Sequence, residues 1–463
     1  MLIRFIAKNL FSFDEETEFN VFPNKTQRLP HHKVKKNGID ILRLTAIYGA
    51  NGAGKSNLIR SIWLLKLMIQ ESKVIDNFDD IKFKLSERNL QSPISVAIEF
   101  YHLSKIYYYT LTFDEGVILN EALYESKEDQ DILIFERNIE NNKQRIVFFG
   151  AYIKNEKNRL FVEVLAEKIL QKNELLLSFL NAKYQTEFID VSNVCHWFDK
   201  NLIILYPNSK PSGLPQEIDK NNDFKSFINN FISTLNVGIS NISIAKGRLN
   251  DFLDSAGIIG EIPIIDEKVI REFIDNIKKN PNQILNVENS KTGDEVTFVV
   301  ENDEVISKRI IIAHSSKKGY PIPFFTNMES DGTKRLLDYL PALYQIINEE
   351  KVYLIDEIER SIHPLTIKEI MSKLSLDEAA KGQLIFTTHE SCLLDQEILR
   401  PDEIWFAQKD IDGASKLYSL SDFNVHHTAN IENGYLNGRY GGIPFLSNLK
   451  DLNWHKYEVL EQE

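Results

Sequence analysis

Four short stretches of the chain combine residue types that do phosphate chemistry. The first, Gly49-Ala50-Asn51-Gly52-Ala53-Gly54-Lys55-Ser56, fits the spacing GxxxxGK[ST] at every fixed position. Glycines so spaced let successive backbone amides turn inward on β- and γ-phosphates, and the helix that follows adds its positive end. Lys55 supplies a movable charge to those phosphates, and the Ser56 hydroxyl ligates magnesium. An apolar run, LRLTAIY, precedes the glycines and a helical pattern, SNLIR, follows them, which is the strand–turn–helix context the chemistry needs. These residues imply ATP with Mg2+, cradled by Asn51, Gly52, Ala53, Gly54, Lys55, Ser56 and Asn57.

The second stretch, KVYLIDEIERSIHP, is an apolar run ending in Asp356-Glu357. A buried parallel strand delivers carboxylates at its C-terminal end to the ligand crevice of an α/β sheet. Asp356 suits the magnesium shell and Glu357 the base that polarises the attacking water. Alone, such a pair is also what a strand with a capping acid looks like; together with the glycine loop it points to hydrolysis. In the third stretch, QLIFTTHE, a β-rich run ends at His389, one strand after the acidic pair, where a γ-phosphate sensor would sit. The fourth, TNMESDGTKRLL, runs two acids and Ser330 through Gly332 into a helix. A helix start is an anion site, because its first amides lack intrahelical partners and its dipole points positive end outward. No other residue nearby is equipped to hold a phosphate there.

These residues need a sizeable scaffold, and the chain has one. Its 463 residues suffice for two or three domains, with 43% hydrophobic and 26% charged residues as in ordinary globular proteins. A formal net charge of −13 argues against wholesale coating of nucleic acid, while leaving a local basic groove open. Two cysteines, Cys195 and Cys392, cannot build a disulfide framework, so a reducing compartment is expected. The start, MLIRFIAKNLFSFDEE, has no apolar signal core, and no stretch approaches the roughly 20 apolar residues that span a bilayer. The expectation is a cytoplasmic protein with no membrane segment.

Ser330-Asp331-Gly332-Thr333, followed by a helix and then the acidic strand, resembles the signature motif of ABC-type ATPases, usually Leu-Ser-Gly-Gly-Gln. That resemblance implies that Ser330 and Gly332 act in trans, closing on the γ-phosphate held by the glycine loop of a second copy. Asp331 and Thr333 depart from the usual form. Arg360-Ser361-Ile362-His363-Pro364 resembles the D-loop of the ABC ATPases related to SMC and OLD proteins. FIAKNLFSFDEETEFNV and LRPDEIWFAQKDIDGASKLYSLSDF…YLNGRYGGIPFL are similar to the first and last parts of that group, as found in AAA-family ATPases of bacterial defence islands and, in particular, of PARIS-type anti-phage systems. The likeness covers about residues 1–125 and 320–450.

The implied fold class is α/β: an ABC-type ATPase head, a P-loop sheet with an antiparallel β subdomain, carrying a mainly helical insertion. Residues 1–150 form an N-terminal lobe in which SVAIEFYH and KIYYYTLTFD read as antiparallel strands. Residues 151–320 form the insertion, since Ser330 lies 275 positions after Lys55 (330 − 55) and stretches such as DFKSFINNFISTL are amphipathic. No heptad pattern is sustained there, which favours a compact helical insertion over a long coiled coil. Residues 321–463 form the C-terminal lobe with signature, acidic strand and histidine.

Two functions fit. One is a regulatory ATPase whose nucleotide-driven homodimers, or larger oligomers, gate a separate effector; the resemblance implies a TOPRIM-type nuclease partner and a phage-encoded trigger. The other is an SMC-like DNA-repair or DNA-processing ATPase acting directly on nucleic acid. Only 74 residues follow His389 (463 − 389), too few for a fused TOPRIM nuclease, and this favours the first.

Overall fold

The computed structural model describes all residues except 76–77, 141–142, 236–237, 249–271, 273–278, 280–282, 289–294, 424, 427–428 and 444–463. The last seven positions of the C-terminal likeness, 444–450, therefore lie outside the described residues. The chain divides into two compact units, Met1–Lys200 with Ile385–Glu463, and Asn201–Leu384.

The first unit holds a seven-stranded antiparallel sheet. It runs from Lys143–Phe148 through Ile132–Glu140, Val117–Ser126, Lys105–Asp114, Ile94–His102 and Leu2–Lys8 to Thr17–Asn20. The period-2 pattern of the sequence sets its faces: in Lys105–Asp114, buried Tyr107, Tyr109, Leu111 and Phe113 alternate with partly exposed Tyr108, Thr110 and Thr112. Phe100 of the next strand stacks on Trp197 at a centroid distance of 3.9 Å, closing the core on that side. The strand Leu44–Tyr48 is buried throughout and pairs in parallel with Ile404–Lys409, which pairs antiparallel with Ser415–Ser419. Continuous burial is what parallel strands covered on both faces require. The helix Lys55–Glu71 follows the glycine loop and buries Leu58, Ile59, Ile62, Leu65 and Ile69, a stripe at helical spacing.

In the second unit, Leu202–Leu205 pairs in parallel with the acidic strand Val352–Ile355, every residue of which is buried. The helix Asp331–Asn348 contributes Leu337 and Leu340 to a core built with helices Leu214–Lys220 and Asn222–Thr234 and with Ile239, Ile242, Ile310 and Ile312.

The expected insertion is helical in its first half: Glu156–Val164, Leu176–Lys183, Ile189–His196, Leu214–Lys220 and Asn222–Thr234 are helices. Its second half departs from the expectation of a mainly helical segment. Ile239–Arg248, Glu304–Ser315, Glu295–Glu301 and Leu285–Glu288 form an antiparallel sheet, with Pro321–Phe325 paired to Glu304–Ser315. The cause is local. β-Branched runs flank Asn302-Asp303, both with positive φ (51° and 65°), the backbone of a two-residue hairpin turn matched to strand twist.

Candidate functional site

The glycine loop lies between the buried strand Leu44–Tyr48 and the helix Lys55–Glu71. Its glycines answer to space as well as to conformation. Gly54 has φ 109°, and a Cβ there would lie 2.1 Å from Ser415 Oγ and 3.0 Å from Ser12 Oγ. Gly49, with φ 154°, would bring a Cβ within 2.4 Å of the Ala407 carbonyl oxygen. The loop is braced from outside its own motif: Ser415 Oγ donates to the Ala53 carbonyl at 2.7 Å, and Asn57 Nδ2 donates to Ser12 Oγ at 2.8 Å. Asn51 and Gly52 at the tip are exposed, and no side chain caps the first turn of the helix.

Lys55 is only 5% exposed. Its ammonium donates to the carbonyls of Gly49 at 2.7 Å and Ala50 at 3.3 Å, and lies 3.0 Å from His389 Nε2. With Nε2 accepting, the ring proton of His389 sits on Nδ1. The histidine is placed by the strand Gln383–Thr387 and by the Thr388 amide, which donates to the Ile47 carbonyl at 3.1 Å. Two residues 334 positions apart therefore meet at one ammonium. Beside the loop opens a cavity of about 280 Å³ bordered by Phe11, Ser12, Asn57 and Arg60, the guanidinium of Arg60 standing 4.5 Å over the Phe11 ring.

The second unit gathers the remaining expected residues. Asp356, 4% exposed, ends the acidic strand, and its amide donates to the Leu205 carbonyl at 2.9 Å. Glu357 follows with φ 50°, a left-handed backbone that a side-chain-bearing residue adopts only at a cost of order 1–3 kcal/mol. The turn after it is held by Arg360 N to Glu357 O at 3.0 Å and Ile362 N to Glu359 O at 2.9 Å. Ser361 is exposed and also left-handed, with φ 63°. His363 caps the helix Pro364–Ser375, its Nδ1 accepting from the Leu365 amide at 3.2 Å.

Ser330 is exposed and caps the signature helix, its Oγ accepting from the Thr333 amide at 3.2 Å. Gly332 lies against the turn after Glu357: a Cβ on it would meet the Ser361 carbonyl at 2.8 Å. The structure thus brings together Lys55 and His389 in one unit, and Gly332 and Ser361 in the other. Sequence reasoning did not find Ser12 or Ser415. Neither carries a spacing signal: Ser12 lies in the turn after Leu2–Lys8 and Ser415 begins the strand Ser415–Ser419, both outside the glycine loop's own stretch of chain.

A glycine-rich loop between a buried parallel strand and a helix, with a buried lysine at the helix start, defines a P-loop nucleotide-binding domain of the α/β class. The chain belongs to the family described as "AAA domain, putative AbiEii toxin, Type IV TA system", which matches residues 44–170 and 211–395 and so includes every site residue named above from Lys55 to His389. No curated protein matches the chain. Among solved structures it is similar to an SmcHead bound to the C-winged helix domain of ScpA (15% identity over 90% of this chain and 97% of that one, TM-score 0.38). Similar too are the SMC head domain from Thermotoga maritima (13%, 90% and 98%, TM-score 0.37) and an Smc head domain with an extended coiled coil bound to the C-terminal domain of ScpA derived from Pyrococcus furiosus (13%, 90% and 96%, TM-score 0.37). Likeness this distant transfers no residue role. Among the described residues, no helix is long and apolar enough to cross a membrane.

Proposed function

We propose that the chain is a Mg2+-dependent ATPase of the ABC type that works as a self-associated unit and controls a separate effector. The observation that carries this reading is the Lys55 ammonium held between the loop carbonyls and His389. That ammonium is presented at the helix start with partners it exchanges for phosphate oxygens, and in leaving His389 it frees Nε2 to follow the γ-phosphate. The hard oxygen donors Ser56 and Asp356 suit Mg2+, which prefers one or two protein oxygens completed by phosphates and water. When bound, the ion offsets charge that develops on the phosphates. Glu357 accepts the proton of the attacking water. Ser330 and Gly332, at an exposed helix start, serve the nucleotide of a second copy.

For the wider role, the likeness to defence-island ATPases supports a sensor and scaffold subunit of an anti-phage system such as PARIS, with a TOPRIM-type nuclease as effector and a phage protein as trigger. The experiment that tests the chemistry is ATP turnover by Glu357→Gln with Mg2+ present. ATP binding is retained and turnover falls by about 10²–10⁴, the range general-base catalysis contributes. Turnover at the wild-type rate removes Glu357 from the role of base.

A further inference from the structure

A cavity of about 740 Å³ in the first unit has no part in the phosphate site. It lies at the C-terminal end of the helix Lys55–Glu71, roughly 21 Å along the axis from Lys55 at a rise of about 1.5 Å per residue. It is an open cleft, with Gln70, Leu103, Gln185 and His196 of its lining exposed, and its volume falls in the range of ligand clefts. The walls are fixed by hydrogen bonds that owe nothing to a ligand. Ser178 Oγ donates to the Ile69 carbonyl at 2.7 Å, and the Leu175 amide donates to the Ser72 carbonyl at 3.0 Å. The buried carboxylate of Glu121 accepts from the Leu176 and Leu177 amides at 2.8 and 2.9 Å, anchoring the start of the wall helix Leu176–Lys183.

The lining decides the class of ligand. Four carboxamides border it, Gln70, Asn181, Gln185 and Asn193. Those of Asn181 and Gln185 have no hydrogen-bond partner among the described residues. Among the described residues no lysine or arginine lines the cavity, and the single lining carboxylate, Asp199, is already paired with Lys200 at 2.9 Å. A phosphorylated ligand has no counter-charge here. The one aromatic ring of the lining, His196, is stacked on His102 and gives a sugar or a base little platform. A carboxamide, by contrast, offers a donor and an acceptor side by side, the complement of a peptide unit. Between the amides lie Ile69, Leu103 and the Cys195 thiol, which burial pushes up to about 12 and so keeps uncharged.

We propose that this cleft binds a short, unphosphorylated peptide segment of a partner protein, its backbone amides on Asn181 and Gln185 and an aliphatic side chain against Ile69 and Leu103. The P-loop helix runs from this cleft to Lys55, giving the segment a rigid connection to the nucleotide site. That connection rests on the ATPase reading; the binding does not.

The test uses N-acetyl-leucine methylamide, which carries two peptide units and one aliphatic side chain, with adenosine and methyl glucoside as comparison probes. Saturation-transfer NMR on the full chain should show the peptide probe binding with a dissociation constant of roughly millimolar order, as expected for so small a ligand. Asn181→Arg, at a half-buried position, and Gln185→Arg, at an exposed one, should each weaken it about tenfold or more by filling the cleft with charge. Binding should persist in Lys55→Ala, which separates this site from the ATPase reading. No transfer to the peptide probe up to its solubility limit, or equal transfer in wild type and both arginine variants, overturns the proposal. So does stronger binding of adenosine or methyl glucoside that the same variants abolish.

Discussion

The two halves of the proposed phosphate machinery are built to opposite standards. In the first unit the loop is braced on several sides: Ser415 and Asn57 hold it, Ala407 leaves no room at Gly49, and Lys55 is buried with its hydrogen bonds made. In the second unit the corresponding groups are exposed or strained. Ser330 stands at an open helix start, Ser361 faces solvent, and Glu357 sits on a left-handed backbone. Buried, satisfied groups need no partner from outside their own chain, which fits the phosphate grip proposed for Lys55 and its loop. Exposed donors and stored strain mark a surface whose contacts are made when something else arrives. On the proposed reading this contrast predicts that nucleotide binding and turnover are separable by mutation.

The largest effect is expected at Lys55. Lys55→Ala should weaken ATP binding by at least about 100-fold, as removal of one partner from a buried charge pair costs about 2–5 kcal/mol. Calorimetry showing unchanged affinity would break the comparison at its root. Gly54→Ala comes next, since its Cβ meets Ser415 Oγ at 2.1 Å and φ is 109°. We expect ATP affinity to fall about tenfold, with strain of order 1–3 kcal/mol lowering the melting temperature by a few degrees. Gly54→Ala/Ser415→Gly, which clears the nearer clash, should recover part of that loss.

Gly332→Ala sharpens the other side. Its Cβ would push the Ser361 carbonyl from 2.8 Å, so the turn carrying Glu357 shifts while the loop around Lys55 is untouched. Turnover should fall several-fold with ATP affinity unchanged; an affinity loss equal to the turnover loss would show that the halves are not separable. The smallest effect concerns thiols. Burial pushes Cys195 up to about 12, so its thiol stays protonated at neutral pH and becomes a thiolate only in strongly alkaline solution. Mass spectrometry after brief iodoacetamide treatment at neutral pH should find Cys195 unmodified, with labelling rising as the pH approaches that value.

What the sequence made legible follows from where the constraint lies. Phosphate chemistry needs fixed residues at fixed short spacings, so the loop from Gly49 to Ser56 and the acidic pair Asp356-Glu357 could be read directly. His389 was readable because it ends a strong β pattern, and its Nε2 lies 3.0 Å from the Lys55 ammonium. Ser12 and Ser415 were not readable, because bracing a backbone asks only for a small hydroxyl in the right place. The antiparallel sheet of the second unit was partly written in the sequence. EVTFVVENDEVISKRIIIAHS alternates around an Asn-Asp turn, a hairpin signal set directly after strongly amphipathic helical stretches. The stretch FVEVLAEKILQKNELLLSFL, amphipathic like DFKSFINNFISTL, folds as two helical pieces: the α-helix to Val164 runs on as a π-helix through Ile169, and a new α-helix begins at Leu176.

The central claim is that one active site needs two chains, the grip of one and the exposed signature of another. The most direct measurement is the ATPase rate of an equal mixture of Lys55→Ala and Ser330→Arg chains, with mixed assemblies verified by differential tagging. Each variant alone should be inactive, one lacking the phosphate lysine and the other blocked at the helix start. The mixture should regain measurable turnover, because a mixed dimer pairs the one intact loop with the one intact signature. No recovery in verified mixed assemblies, or full activity in Ser330→Arg by itself, would contradict the account.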